Sequence, residues 1–192
     1  MQLTNTKTAI NPTSPAKPSA SGDHHIFFSV GDSAVGKVLV ARTIVGVCAV
    51  LIGASHQALE SKLEARFPGR TLVGNAAEVQ DDLESVIRFI AAPNANFNLP
   101  LDMRHGTAFQ RRVWDALLTI PCGARISYSA LARRIGEPKA VRAVASACAA
   151  NAIALGIPCH RVVRSDGTIS GYRWGTELKR SLLEKENAVT VN

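Results

Sequence analysis

The chain is poor in aromatic residues: six Phe, two Tyr and two Trp make up 5% of its 192 residues. Its core must therefore be built from Ala, Val, Leu and Ile, the bulk of the 46% of residues that are apolar. No apolar run reaches the roughly eighteen residues a membrane span needs. The longest candidate, Val38 to Gly53, is interrupted by Arg42 and rich in β-branched residues, so it reads as strands. The four cysteines, Cys48, Cys122, Cys148 and Cys159, have neither paired nor CxxC spacing. That pattern points to reduced thiols in a cytoplasmic setting, not a disulfide framework. The set Cys122, Cys148, Cys159 and His160 fits none of the usual zinc spacings, so no metal is expected. The first hundred residues hold no P-loop and no GxGxxG, and no cofactor is expected.

Charge is unevenly placed. Residues 1–103 carry 8 Lys+Arg against 9 Asp+Glu, and residues 104–192 carry 14 against 6. The whole positive excess therefore sits in the second half, mostly as Arg. A basic half-chain points to a polyanionic partner, nucleic acid first and an anionic membrane surface second. A basic face kept for solubility accounts for the charge equally well at this point.

The pattern along the chain divides it into three. Residues 1–24, rich in Thr, Ser, Pro, Ala and Lys, read as a disordered tail or linker. Residues 25–103 read as a small α/β scaffold. Ile26–Val30, Val38–Thr43 and Ile44–Ile52 look like strands, with breaks at Gly31-Asp32 and near Val45-Gly46. Helical spacing follows over His56 to Phe67, and again over Ala76 to Ala91 with a stop at Pro93. Residues 104–192 read as mostly helical. Thr107-Ala-Phe-Gln110 has capping-box form and opens a helix through Leu118. Ser127 caps a second helix reaching Ile135, and Pro138 suits the first turn of a third that runs to about Ala150. The short break at Gly136-Glu137 gives this pair helix-turn-helix grammar. Ile153–Val163 looks extended, and a last helix covers Glu177 to Glu186. The third helix is nearly bare, with Ala at 140, 143, 145, 147, 149 and 150 broken by Arg142. Tight helix packing explains such a surface, and so does entry into a narrow groove.

The chemically informative stretch is Pro158-Cys159-His160-Arg161. A thiol is a weak nucleophile until deprotonated, and an adjacent His can take its proton directly or through one water. The imidazole then needs an orienting acceptor, for which Glu186 at the end of the last helix is a candidate. Asn151 can fix the turn beneath the cysteine by bonding backbone groups. The nearby arginines are expected to favour the thiolate.

The stretch from Gly106 to Glu186 resembles the O6-alkylguanine-DNA alkyltransferases (methylated-DNA–protein-cysteine methyltransferases), and most closely the C-terminal half of the bacterial adaptive-response proteins. The resemblance rests on Gly106-Thr-Ala-Phe-Gln110 with Val113-Trp114, Ile126-Ser-Tyr128 with Leu131-Ala132, and Pro138-Lys-Ala-Val-Arg142-Ala-Val. Ile157-Pro-Cys159-His-Arg-Val-Val163 is its most specific segment, followed by Gly171-Tyr172-Arg173-Trp174-Gly175 and Glu186. Residues 26–103 resemble the family's N-terminal domain more loosely. The fold implied is α+β: a small N-terminal α/β, ribonuclease-H-like domain and a C-terminal, mostly helical, winged-helix-like DNA-binding domain.

The resemblance also implies roles. Cys159 would accept an alkyl group from O6-methylguanine, and from O4-methylthymine, in double-stranded DNA entered through the minor groove. His160 would be the water-mediated base, Glu186 would hold it, and Asn151 would stabilise the turn. Tyr128 would act near the flipped base, and Arg142 would fill the gap it leaves, with Ser127 and Ala143 at the DNA. Tyr172, Arg173 and Trp174 would form the lid. The carbonyls of Cys159 and Val162 would accept from the guanine edge. A monomer acting once, without membrane or metal, is implied, and the absence of a four-cysteine segment before residue 26 suggests no transcriptional switch. His105 and Gly156 depart from the pattern: the first adds a residue ahead of the Gly-Thr opening, and the second is expected to loosen the strand before the signature. Trp174 is expected to crowd the lid against bulky substituents. Rival readings are a binding-only sensor of alkylguanine, a transcription factor and a Cys-His hydrolase. The presence of Cys159 speaks against the first, and its signature against the second.

Overall fold

The computed structural model describes residues 24–92, 97–169 and 171–190. Residues 1–23 of the expected tail and the expected stop at Pro93 lie outside them. Strands β1 (His25–Ser33), β2 (Gly36–Arg42) and β3 (Val47–Gly53) form an antiparallel meander, and β4 (Thr71–Gly74) joins β1 in parallel, giving the order β3-β2-β1-β4. Helix α1 (His56–Arg66) connects β3 to β4, and α2 (Gln80–Ala91) follows a 3-10 turn at Ala77–Val79.

The period-two pattern explains both faces of this sheet. Val38, Val40, Val50 and Ile52 point into one core with Leu83, Val86 and Ile90 of α2. Leu39, Ala41, Ala49 and Leu51 point the other way, onto Leu59 and Leu63 of α1 and Phe67. A sheet covered on both faces reads as unbroken apolar runs, which is what β2 and β3 are. Each fully buried Val, Leu or Ile contributes about 2 kcal/mol of transfer free energy.

Three details differ from the pattern reading. The third strand begins at Val47, not Ile44, because Ile44 and Val45 lie in the turn, 53% and 47% exposed. That turn is closed by Thr43 N donating to Gly46 O at 2.9 Å. The first strand runs through Gly31-Asp32 to Ser33, and the reversal falls at Gly36, whose φ of +106° suits glycine. Gly31 serves packing instead, since a Cβ there would meet Ile87 Cδ1 at 3.0 Å. Strand β4 was not expected: four residues are too short to show a period.

The second half holds α3 (Ala108–Leu118), α4 (Tyr128–Arg134), α5 (Val141–Ala149) and α6 (Thr176–Thr190), with a two-strand parallel ladder of β5 (Ile126–Ser127) and β6 (Val162–Val163). The capping box forms as expected: Gln110 N donates to Thr107 Oγ1 at 3.2 Å, and Thr107 N donates to Gln110 Oε1 at 2.9 Å. Ser127 caps α4 through Ala130 N at 3.1 Å. Trp114, fully buried, clamps α3 to α5 by donating from Nε1 to Ala147 O at 2.9 Å. Helix α5 starts at Val141, one turn after Pro138, because Pro138 and Lys139 form a turn closed by Ala140 N donating to Glu137 O. The break between α4 and α5 is accordingly longer than two residues.

The two halves share one core. Trp114, Leu117, Val144, Ile153 and Ile157 belong to the same cluster as Val38 and Val86. The free edge of β3 is paired as well. Val47 N donates to Pro100 O and Asp102 N to Val47 O, each at 2.8 Å. Val50 N donates to Ala152 O at 2.9 Å and Ala154 N to Val50 O at 3.0 Å. The segment leading into the Cys159 signature is thus bolted to the sheet, and the small α/β unit is its anchor. The architecture is α+β, a small ribonuclease-H-like sheet layer against a winged-helix-like helical part.

Candidate active site

The stretch Ile153–Val163, expected to be extended, is so only at its ends, where Ile153 bridges to Val50 and Val162–Val163 form β6. The residues between fold into a knot around Asn151, which is fully buried. Its Nδ2 donates to Ile153 O at 3.2 Å, Ile157 O at 3.1 Å and Cys159 Sγ at 3.3 Å, while its Oδ1 accepts from Ile153 N at 2.8 Å. Leu155 at the turn's apex adopts φ +68°, and the chain then tightens into a 3-10 turn at Cys159–Arg161. Gly156 is required for closeness: a Cβ there would lie 2.9 Å from both Ile153 Cγ2 and Phe97 Cε1. The expectation that Gly156 loosens a strand is corrected, because Gly156 lies in a turn and lets that turn close on Ile153 and pack against Phe97.

Cys159 is 4% exposed and lines a cavity of about 570 Å³. Around the cavity stand Tyr128 at the start of α4, Arg142 and Ala145 on α5, and Tyr172 and Arg173 on the segment before α6. A cavity of about 580 Å³ at the end of α2 is lined by Arg88, Phe89 and Phe97 and contains no thiol. The small residues of α5 divide: Ala147 is buried beneath Trp114, while Arg142, Ala143, Ser146 and Ala149 form an exposed face beside the cavity. Packing therefore explains only part of the bareness of this helix.

Next to the cysteine lies a buried hydrogen-bonded cluster of His160, Glu186 and Arg161. His160 is fully buried, and its Nε2 is 2.8 Å from Glu186 Oε1. Glu186 also accepts from Arg161, through Nη2 at 2.8 Å and Nε at 3.1 Å. Burial pushes the Glu186 carboxyl up, but the hydrogen bonds from His160 and Arg161 outweigh it and hold the group at about 2. Glu186 is thus an ionised, acceptor-only partner, so the shared hydrogen sits on His160 Nε2 and Nδ1 is left with a free lone pair. Nδ1 is buried without a partner among the described residues. Burial pushes the imidazolium form away, against the pull of Glu186, so His160 rests neutral. A neutral imidazole with an unoccupied Nδ1 is a base awaiting a proton.

The thiol itself is held back. Burial pushes the Cys159 thiol up, opposed by the Asn151 hydrogen bond and then by the charge of Lys179, with Arg173 weaker. Of the arginines expected to favour the thiolate, Arg173 does so weakly, while Arg161 is spent on Glu186 and on the carbonyl of Ile120. The cation that acts most on the sulfur is Lys179, which sequence reading missed. Lys179 is fully buried and its Nζ donates to Val162 O. Its signal was present, because Lys179, Leu182, Leu183 and Glu186 lie on one stripe of α6 and all are buried.

The remaining expected residues are accounted for as follows. The Val162 carbonyl already accepts from Lys179, leaving one lone pair. Arg173 Nη1 donates to Ala149 O at 3.2 Å, tying the segment before α6 to α5. The Tyr172 hydroxyl is buried without a partner among the described residues. Trp174 stands against Tyr172, ring centroids 5.1 Å apart, and is not among the residues lining the cavity. Ser127 caps α4, its Oγ lies 3.0 Å from Ser129 Oγ, and it is not among the residues lining the cavity. Among the described residues no three His, Cys, Asp or Glu side chains are placed to hold a metal ion, and no helix is long and apolar enough to cross a membrane.

Fold and site together define a two-part protein whose helix-turn-helix half presents a buried thiol, backed by His and Glu, at the bottom of an open cavity. Residues 108–188 match the family of the 6-O-methylguanine DNA methyltransferase DNA-binding domain. The chain is 50% identical over 159 residues to the bifunctional transcriptional activator/DNA repair enzyme Ada of Escherichia coli, covering 83% of this chain and 45% of that one. It therefore spans less than half the length of that relative. It is 37% identical over 150 residues to the inducible methylated-DNA–protein-cysteine methyltransferase of Bacillus subtilis, covering 77% of this chain and 82% of that one. The structure of Mycobacterium tuberculosis OGT in complex with DNA superposes with a TM-score of 0.72 at 32% identity, over 85% of this chain and 94% of that one. The chain belongs to the methylated-DNA–protein-cysteine methyltransferase family.

Proposed function

We propose that this protein repairs DNA by direct reversal, moving the alkyl group of O6-methylguanine, and of O4-methylthymine, onto its own Cys159. The observation that carries the reading is Cys159 at the floor of the cavity with neutral His160 behind it, Nδ1 free and Nε2 held by Glu186. A base inside a duplex cannot bring its O6 substituent to a sulfur that is 4% exposed, so it must be flipped out, at a cost of a few kcal/mol. The exposed, small-residue face of α5 suits entry into the narrow minor groove, and Arg142 at the cavity mouth fills the gap in the stack. The substrate is double-stranded DNA, met by a monomer in the cytoplasm.

In the reaction the thiol proton passes through water toward His160 Nδ1. The Cys159 sulfur attacks the alkyl carbon, the carbon–O6 bond breaks, and the electron pair leaves with guanine, which regains a proton. The product is a thioether. It has no activated carbonyl for water to attack, so each molecule acts once. Residues 25–103 act as the scaffold domain and residues 104–192 as the alkyltransferase domain.

The test is intact-mass spectrometry after incubation with a duplex carrying one O6-methylguanine, beside a Cys159→Ala control. One added methylene mass of about 14 Da on wild type alone, stopping at one equivalent, is expected of a sulfur nucleophile that is not regenerated. Binding without mass gain would make the chain a sensor of alkylguanine instead.

A further inference from the structure

The cavity holds a second thiol that the transfer reaction does not use. Cys148 sits in the last turn of α5, 6% exposed, and lines the same cavity as Cys159. Asn151, three residues further on, contacts Cys159 Sγ at 3.3 Å and fixes the end of α5 relative to the signature. The other two cysteines are elsewhere: Cys48 lies in the core on the α1 side of the sheet, and Cys122 lies beside Arg161 and Glu186. Lys179 exerts its positive charge on both Cys148 and Cys159, and a charge on Cys159 pushes the Cys148 thiol up.

We propose that Cys148 and Cys159 form an oxidisable pair, which a hydroperoxide closes to an intramolecular disulfide that withdraws the acceptor sulfur. Cys159 gives up its proton and attacks the peroxide. A sulfur–oxygen bond forms, the oxygen–oxygen bond breaks, and with hydrogen peroxide one water leaves. Cys148 then attacks the sulfenic sulfur, the sulfur–sulfur bond forms, and the second water leaves. Two thiols are oxidised by two electrons and one peroxide is reduced to two waters. Hydrogen peroxide is close to water in size, and the cavity of about 570 Å³ lined by both cysteines has room for it. Without Cys148 the sulfenic acid has no thiol in the cavity to resolve it and advances to the irreversible sulfinic acid. The pair therefore protects a sulfur that can be used only once, a consequence that rests on the alkyl-acceptor reading above although the oxidation chemistry does not.

Residues 143–161 carry no internal Lys or Arg, so trypsin leaves both cysteines on one peptide. The full chain, free of DNA, is treated with hydrogen peroxide, its remaining thiols are blocked, and that peptide is weighed. A loss of about 2 Da, reversed by dithiothreitol, is expected, and Cys148→Ser and Cys148→Ala should each instead gain about 16 or 32 Da at Cys159. Oxygen gain on the wild-type peptide, an unreacted peptide, or a disulfide to Cys48, Cys122 or a second chain would each overturn the proposal. Methyl transfer from alkylated duplex, measured separately and relative to each variant's own untreated sample, reports on the alkyl-acceptor reading. A chain that closes the disulfide yet takes no methyl would refute that reading and leave the pair standing.

Discussion

His160 Nε2 lies 2.8 Å from Glu186 Oε1, with both side chains 1% exposed. The contact decides which nitrogen of the imidazole is basic. An ionised carboxylate can only accept, so it commits Nε2 to donating and leaves Nδ1 as the base. Glu186 thus acts through the ring it holds, and the hydrogen bonds from His160 and Arg161 keep it ionised.

Glu186→Gln tests that assignment. The amide can donate to Nε2, which inverts the tautomer, and it leaves the buried Arg161 without its counter-charge. The single-turnover transfer rate should fall about a hundredfold or more, the usual worth of a positioned base. Stability should fall by about 3 kcal/mol, as for other broken buried pairs. Transfer at the wild-type rate in a folded variant would remove His160 from the base role.

His105 gives the fold an acid-sensitive joint. Its ring lies between Phe67 and Trp114, centroids 5.4 and 5.3 Å away, and both ring nitrogens are buried without partners among the described residues. Burial, reinforced by Arg66, lowers it from 6.5 to about 4. Unfolded chains therefore take up a proton here that the folded one refuses. The stabilisation is complete above 6.5 and is lost as pH falls toward about 4. Urea denaturation at stepped pH should show that slope for wild type and a shallower one for His105→Leu. Equal slopes would show that other groups carry the acid sensitivity.

The sequence was most readable where a residue acts through local grammar. Thr107 and Gln110 announced their capping box, Ser127 its helix start, and the Cys159-His160 dipeptide its chemistry, because each signal lies within a few residues. Glu186 was found through resemblance, although the helix expected to end there runs on to Thr190. The failures are long-range. Lys179 looks like an ordinary helix lysine until α6 is seen to turn its Leu182–Glu186 stripe inward. Asn151 was read correctly as the residue that fixes the turn, but Gly156 sits in a stretch whose apolar composition imitates a strand, and only β3 and Phe97, distant in sequence, make it a knot. At Cys159 the sign of the arginine effect was read correctly, but counting arginines leaves out burial, which pushes the thiol up, and the larger pull of Lys179.

Gly156→Ala follows from that knot. If the glycine were a weak point in a strand, alanine would stabilise the protein. With a Cβ 2.9 Å from Ile153 and Phe97, it should cost about 2 kcal/mol, within the usual range of overpacking. Thermal melts of the two proteins decide the matter, and a higher melting temperature for the variant would contradict the packing described.

Asn151→Ala removes more than one contact at once. Ile153 N–H and the carbonyls of Ile153 and Ile157 lose their side-chain partner inside the core. Each buried polar group left unsatisfied costs about 1–3 kcal/mol, so the variant should be destabilised by several kcal/mol. The Cys159 sulfur also loses its donor, and transfer should slow even at temperatures where the variant stays folded. A folded variant with unaltered transfer kinetics would mean that the turn, not the hydrogen bond to sulfur, positions the thiol.

Lys179→Met separates electrostatics from packing. Methionine fills most of the same volume and removes the cost of burying an ammonium, at the expense of one donor to the Val162 carbonyl. Replacing a buried ionic group by an apolar one of similar size is often neutral for stability. The transfer reaction should respond differently. The ammonium lowers the Cys159 thiol against the upward push of burial, so its loss moves the thiol higher. At any pH below that value the thiolate fraction drops about tenfold for each unit of upward movement. The rate–pH profile should therefore shift to higher pH and recover part of the loss in alkaline buffer, while the melting temperature changes little. Lys179→Arg, which keeps the charge but not the point geometry at Val162, should retain the wild-type profile if it folds. A methionine variant with a lowered melting temperature and an unshifted profile would reduce Lys179 to a strut beneath Val162.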